Sequence, residues 1–186
     1  AAIAANAVLG VVEPMMCGVG GDLFVLYWEA KTGKLYGLNA SGWAPRELTP
    51  EFLAKTGVKK MPVSGIHSVT VPGAVDGWAK AHARFGKLPW KDLFGEAIDY
   101  AQDGHPVHEL IRSFWSDSRL KVSTEAQRVF LPGGRAPDTG EMFRNPDMAW
   151  SLRMIASEGR DSFYKGAVAQ RILAGSKKLG GTLAAA

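Results

Sequence analysis

The side chains able to do chemistry are few and scattered. Cys17 opens the run Cys17-Gly18-Val19-Gly20-Gly21-Asp22, which invites comparison with a phosphate cradle. Its spacing is not G-x-G-x-x-G, and it leads from a helical pattern into a strand pattern, the reverse of a nucleotide loop. Asp22 would also repel an anion. The plainer reading is a tight turn in which glycine supplies positive φ and close backbone approach. A third reading brings that backbone near a substrate or a nucleophile on another segment. Of the four histidines, His67, His82, His105 and His108, only the last two are close, and Pro106 between them breaks the register of a two-histidine metal site. No metal and no cofactor are expected. Cys17 reads as a small buried apolar residue, and Glu96 and Asp99 as a solvated helix face. Nothing local suggests a Ser–His–Asp arrangement, so no catalytic residue is expected in this chain.

A different kind of site is offered by L-N-A-S-G-W-A-P, Leu38 to Pro45. Apart from the Ser41 hydroxyl it holds no reactive group, yet it leaves the end of a strand where a pocket wall would stand.

The elements that must position this stretch can be traced from the pattern. Residues 1–11 read as a helix of small side chains, ended by Glu13-Pro14. D-L-F-V-L-Y-W, Asp22 to Trp28, is apolar on both faces and predicts a buried strand. Ala30-Lys31-Thr32-Gly33 turns the chain, and 34–39 return as a second strand. A short helix over 50–55 is capped by Thr49, with Pro50 at its first position. Pro72-Gly73 opens a helix to Phe85, with Gly86 past its end. A helix is predicted over 89–102, with Leu93, Phe94, Ala97, Ile98 and Ala101 on one face. Residues 107–140 are weakly patterned. Asn145-Pro146-Asp147 starts a helix that Gly159 ends. Asp161 caps a short turn, and a last helix covers 167–179. The six tryptophans mostly read as core or interface. The fold class is α+β, mostly helical with one β-hairpin. A lone hairpin is marginal in water, so this one asks for further sheet and covering layers.

Composition excludes several classes. The 186 residues are 46% hydrophobic with mean hydropathy −0.05, as in a globular protein rather than a disordered one. The net charge of +4 is spread without a basic stripe, so no nucleic-acid partner is expected. No apolar run reaches the ~18–20 residues that cross a bilayer. The first residues lack the basic stretch of a signal peptide. One cysteine allows no internal disulfide framework and leaves the compartment open. The chain starts inside a helical pattern and stops just past Gly180-Gly181, so it is expected to be a fragment of a longer reading frame.

In order along the chain, A-A-I-A-A-N-A-V-L-G-V-V-E-P-M-M-C-G-V-G-G-D-L-F, V-T-V-P-G-A-V-D-G-W with F-G-K-L-P-W-K-D-L-F-G-E-A-I-D-Y-A-Q-D-G, and A-W-S-L-R-M-I-A-S-E-G-R-D-S-F-Y-K-G ending in G-G-T-L resemble the large-subunit half of the γ-glutamyltranspeptidase family. The resemblance spans nearly all of residues 1–186. It implies part of an αββα N-terminal-nucleophile (Ntn) hydrolase sandwich, with residues 1–186 an incomplete large-subunit portion of a single domain. It implies a precursor that cuts itself, whose new N-terminal threonine, outside this chain, attacks a γ-glutamyl amide with its own amine as base. The implied partners are the small-subunit half of the same precursor and a small γ-glutamyl or related amide substrate. A periplasmic or secreted setting is suggested, with the cytoplasm left open. The rival reading is a non-catalytic scaffold of the same fold.

The resemblance also gives L-N-A-S-G-W-A-P a role. In the transpeptidases the hairpin ends in a pattern like R-E-x-A-P, whose arginine grips the substrate α-carboxylate. Aligned on Ala44-Pro45, that arginine falls on Ser41. The sequence is similar to a branch with S-G-R-A-P and G-G-D-x-F, but has Trp43 where that branch has arginine. The candidate substrate-binding residues are therefore Ser41, Gly42 and, just beyond, Arg46. Losing a bidentate clamp weakens γ-glutamyl recognition by roughly two to four orders of magnitude.

Overall fold

The structure, a computed structural model, describes residues 1–115, 120 and 123–185. Its contacts divide the chain into two compact units, residues 1–18 with 88–157, and residues 19–87 with 158–186.

The second unit is built on the hairpin. Strand β1 (Leu23–Glu29) pairs antiparallel with β2 (Lys34–Ala40), in a register that sets Leu23 against Ala40 and Glu29 against Lys34. Gly33 turns the chain at φ 62°. Side chains alternate across a strand. Leu23, Val25 and Tyr27, with Tyr36, Leu38 and Ala40, face the covered side. The covering element is the helix Ala74–Phe85, whose Val75 and Trp78 are buried. Its last residue, Phe85, stacks on Tyr27 at 3.9 Å between ring centroids, and the Arg84 guanidinium sits 4.2 Å over the Tyr36 ring.

This helix lies close because glycine lets it. A Cβ on Gly77 would come within 2.7 Å of Leu23 and 2.8 Å of Ala40, and one on Gly73 within 1.9 Å of the Ala40 carbonyl oxygen. The spacing P-G-x-x-x-G is thus a contact surface one helical turn apart. The short helix Pro50–Lys55 is capped as expected, by a bond from the Phe52 N–H to the Thr49 hydroxyl. Helices Arg160–Tyr164 and Ala167–Lys178 complete the unit. Asp161 lies inside the first of these, behind Gly159 at the cap, and bonds Arg160 and Lys165 instead of capping a turn.

The other face of the hairpin is bare. The continuous apolar run predicts a strand buried on both sides, but Phe24, Leu26, Trp28 and Leu35 are 68%, 79%, 59% and 63% exposed. Nothing among the described residues covers them. Trp43 is also exposed, so two of the six tryptophans stand outside the core.

In the first unit, helix Ala2–Val12 packs on Gly95–Asp103 through small residues, Ala7 on one and Ala97 and Ala101 on the other. The helix expected over 89–102 is two pieces, a 3₁₀ turn Trp90–Leu93 and Gly95–Asp103. The break falls at Phe94, which is fully buried, while the Trp90 indole N–H donates to the Ile155 carbonyl at 2.8 Å. Anchoring both rings displaces the backbone from one continuous helix. Pro146–Glu158 starts as expected, with the Asn145 side chain accepting the Met148 N–H.

The weakly patterned region holds a core. Val107, Ile111, Trp115, Leu131, Ala136 and Phe143 cluster together, and Trp115 meets Phe143 edge to face at 4.9 Å. The helices that carry part of it, Glu109–Phe114 and Thr124–Phe130, have six and seven residues. That is too short for a periodic pattern to register. Two-residue strands His105–Pro106 and Met142–Phe143 close it.

Two outcomes test these contacts. Gly77→Ala in the full-length protein should destabilise it by about 1–3 kcal/mol through overpacking against Leu23 and Ala40; chemical denaturation measures this, and an unchanged midpoint would contradict it. Residues 1–186 alone should bind a hydrophobic dye through the bare hairpin face and melt without a sharp transition. A cooperative melt without dye binding would count against that.

Candidate functional site

The end of β2 is held by Asp22. The register that pairs Leu23 with Ala40 brings residue 22 beside residue 41. The Ser41 hydroxyl donates to Asp22 Oδ2 at 3.1 Å, and the Gly42 N–H donates to Asp22 Oδ1 at 2.8 Å. The Ser41 N–H donates to the Asn39 side chain at 2.9 Å. One carboxylate therefore fixes both the side chain and the backbone of the corner.

A second strand of loop backs it. The Val71 N–H donates to the Trp43 carbonyl at 2.9 Å, and a Cβ on Gly42 would lie 1.5 Å from the Val71 carbonyl oxygen. Position 42 admits no side chain. The glycine run behaves differently from its expected role, since none of Gly18, Gly20 and Gly21 takes a positive φ. Instead the Gly21 carbonyl accepts from both the Gly73 and Ala74 N–H groups, at 2.9 and 3.0 Å. Those amides open the helix Ala74–Phe85. They are two of the donors that a helix N-terminus leaves without an intrahelical partner, and here the Gly21 carbonyl satisfies them.

The loop before this helix is braced from below. The Tyr164 hydroxyl donates to the Pro72 carbonyl at 2.8 Å and accepts the Asp76 N–H at 3.0 Å. Asp76 in turn pairs with Lys80 at 2.7 Å and Arg160 at 2.5 Å. Burial acts to raise the Asp76 carboxyl, but hydrogen bonds from Lys80 and Arg160 outweigh it and hold it below the ordinary 3.8.

Ser41 and Gly42, two of the three candidate residues, share this corner. Arg46 is exposed and makes no ion pair with any described residue. In the sequence Asp22 reads as a charge unfavourable to anions and as the first residue of a buried strand, whereas β1 starts one residue later and Asp22 is exposed. The signal that could have placed it was the register: the residue before β1 must face the residue after β2.

The other chemistry-bearing groups stay apart. Cys17 is half-buried, and burial first and Glu13 second push its thiol pKa up, against a nucleophilic role. His105 is buried edge-on to Tyr100 and Phe143, and burial moves its imidazole below the usual range. His108 Nδ1 accepts the Leu110 N–H as a helix cap. Among the described residues no group of three or more His, Cys, Asp or Glu could hold a metal ion. No described helix is long and apolar enough to cross a membrane.

The chain built on this hairpin and its glycine-contacted helix has known relatives. The sequence model of the family described as gamma-glutamyltranspeptidase matches residues 1–186, and the chain belongs to that family. It is 39% identical over 176 residues to the glutathione hydrolase-like YwrD proenzyme of Bacillus subtilis, covering 93% of this chain and 33% of that protein. Among solved structures, the cephalosporin acylase of Bacillus halodurans is 40% identical with a TM-score of 0.89, over 98% of this chain and 35% of that one. The γ-glutamyltranspeptidase of Helicobacter pylori is 28% identical with a TM-score of 0.91, over 98% of this chain and 54% of that one. The chain thus spans about a third of the length of the curated relatives it matches. Its α+β arrangement is part of the Ntn-hydrolase fold of these neighbours.

The Asp76 pair carries a pH signature. The folded pKa lies below the unfolded one, so the pair stabilises the fold above about pH 3.9 and is lost as pH falls through the depressed folded value. In the full-length protein, Asp76→Asn should lower the melting temperature at pH 7. The gap to wild type should shrink below about pH 3.9. A gap that does not change with pH would remove the pair from the account.

Proposed function

We propose that the whole protein is a γ-glutamyltransferase-like amidohydrolase, made as a self-cleaving precursor. Residues 1–186 supply scaffold and one wall of its acyl pocket. The nucleophile is an N-terminal threonine on the small-subunit part outside this chain, with its α-amine as base. Attack on the amide carbonyl gives an acyl-threonine and releases the amine. Water or an acceptor amine then takes the acyl group. This chain contributes no reacting atom; Ser41 and Gly42 touch the acyl group and Arg46 stands at the rim.

The carrying observation is the corner itself. Aligned on Ala44-Pro45, Ser41 falls where the transpeptidase pattern has its carboxylate-gripping arginine, and its hydroxyl donates to Asp22. A hydroxyl gives one neutral hydrogen bond where a guanidinium gives a charged fork. The expected consequence is weak recognition of the γ-glutamyl α-carboxylate and altered or relaxed substrate choice. The names of the relatives, a glutathione hydrolase-like proenzyme and a cephalosporin acylase, support a family scaffold that serves more than one acyl group.

The full-length protein should run as two bands from one gene on a denaturing gel. It should hydrolyse amides while showing a glutathione KM roughly two to four orders of magnitude above that of arginine-bearing transpeptidases. A glutathione KM equal to theirs would overturn the weakened grip. A single uncut band without amide turnover would favour the scaffold reading.

A further inference from the structure

We infer that Asp22 is a specificity-determining residue. It makes the corner select an acyl group ending in a hydrogen-bond donor, an ammonium above all, and disfavour one ending in a carboxylate. This rests on the proposed amidohydrolase reading.

The geometry is direct. Each Asp22 oxygen accepts one bond from the corner, from the Ser41 hydroxyl and the Gly42 N–H. A carboxylate oxygen has further lone-pair capacity, and Asp22 and Ser41 are both exposed. No lysine or arginine pairs with Asp22 among the described residues. The two nearest donors are neutral and already used. What the corner offers an incoming acyl group is negative charge with acceptor capacity.

Replacing a guanidinium by a serine removes a cation. The aspartate held behind that serine leaves the corner with an anion and no cation to offset it, so the corner does more than lose its grip. It repels a carboxylate and attracts a donor. The rigidity of the site sharpens this. Gly42 is packed against Val71 and has no room for a side chain, so the N–H that the Asp22 carboxylate accepts is held in place.

The test uses the full-length protein and three p-nitroanilides: γ-glutamyl, glutaryl, which lacks the ammonium, and 4-aminobutyryl, which lacks the carboxylate. Wild type should prefer 4-aminobutyryl over glutaryl by about ten- to a hundredfold in kcat/KM, mainly through KM. Asp22→Asn keeps an acceptor for Gly42 and a partner for Ser41, and should shrink that ratio about tenfold, again in KM. Because the charge is exposed, the wild-type ratio should also fall as salt rises from about 0.05 to 0.5 M. This measurement stands even where the variant fails to mature. Glutaryl turned over as well as 4-aminobutyryl, a ratio unmoved by Asp22→Asn, or a ratio indifferent to salt would each overturn the inference while leaving the amidohydrolase standing. An uncut protein inert to all three anilides would overturn both.

Discussion

The hairpin and the helix Ala74–Phe85 touch at backbone distance, and the rest of the second unit depends on that approach. Ordinary helices stand about 8–10 Å from their neighbours because side chains intervene. Here Gly73 and Gly77 remove the side chains on one helix face, and Gly42 removes one from the loop opposite. The closeness lets the Gly21 carbonyl reach the first amides of the helix, and lets Val71 bond Trp43. The corner of Ser41 is placed by this backbone packing together with the Asp22 and Asn39 side chains that accept its donors. Tyr164 and Arg160 then brace the same turn from the chain's last third.

On this frame the corner carries two polar side chains, with the Asp22 carboxylate accepting from the Ser41 hydroxyl. Under the proposed function these two set what the pocket accepts. The bare row of Phe24, Leu26, Trp28 and Leu35 lies on the same two strands but serves the architecture. A strand apolar on both faces is a strand meant for the inside of a sandwich, in keeping with the Ntn-hydrolase neighbours.

Much of this was legible in the sequence where the cause is local. Thr49-Pro50 and Asn145-Pro146-Asp147 state their helix starts through side-chain oxygens and a fixed proline φ, and the structure uses both. The hairpin and its turn at Gly33 follow from strand formers and one positive φ. What stayed hidden is nonlocal. The break at Phe94 comes from two aromatic rings seated elsewhere, and the core around Trp115 gathers residues up to 36 positions apart, from Val107 to Phe143. Gly86 stands past the helix end as expected and is extended, at φ −66°, where a Cβ would lie 2.3 Å from the His82 ring. Asp22 was visible and its partner was visible. Only pairing the strands residue by residue joins them.

The glycines of the corner divide its positions into two kinds. Positions 42, 73 and 77 each touch backbone or core that cannot yield, so a change at one calls for changes at the others. Ser41, Trp43 and Arg46 are exposed, and their side chains meet no such packing limit. Under the proposed function, drift in what the pocket accepts can therefore proceed through single substitutions that leave the glycine contacts untouched. A frame this unforgiving in its glycines is what makes its substrate choice cheap to revise.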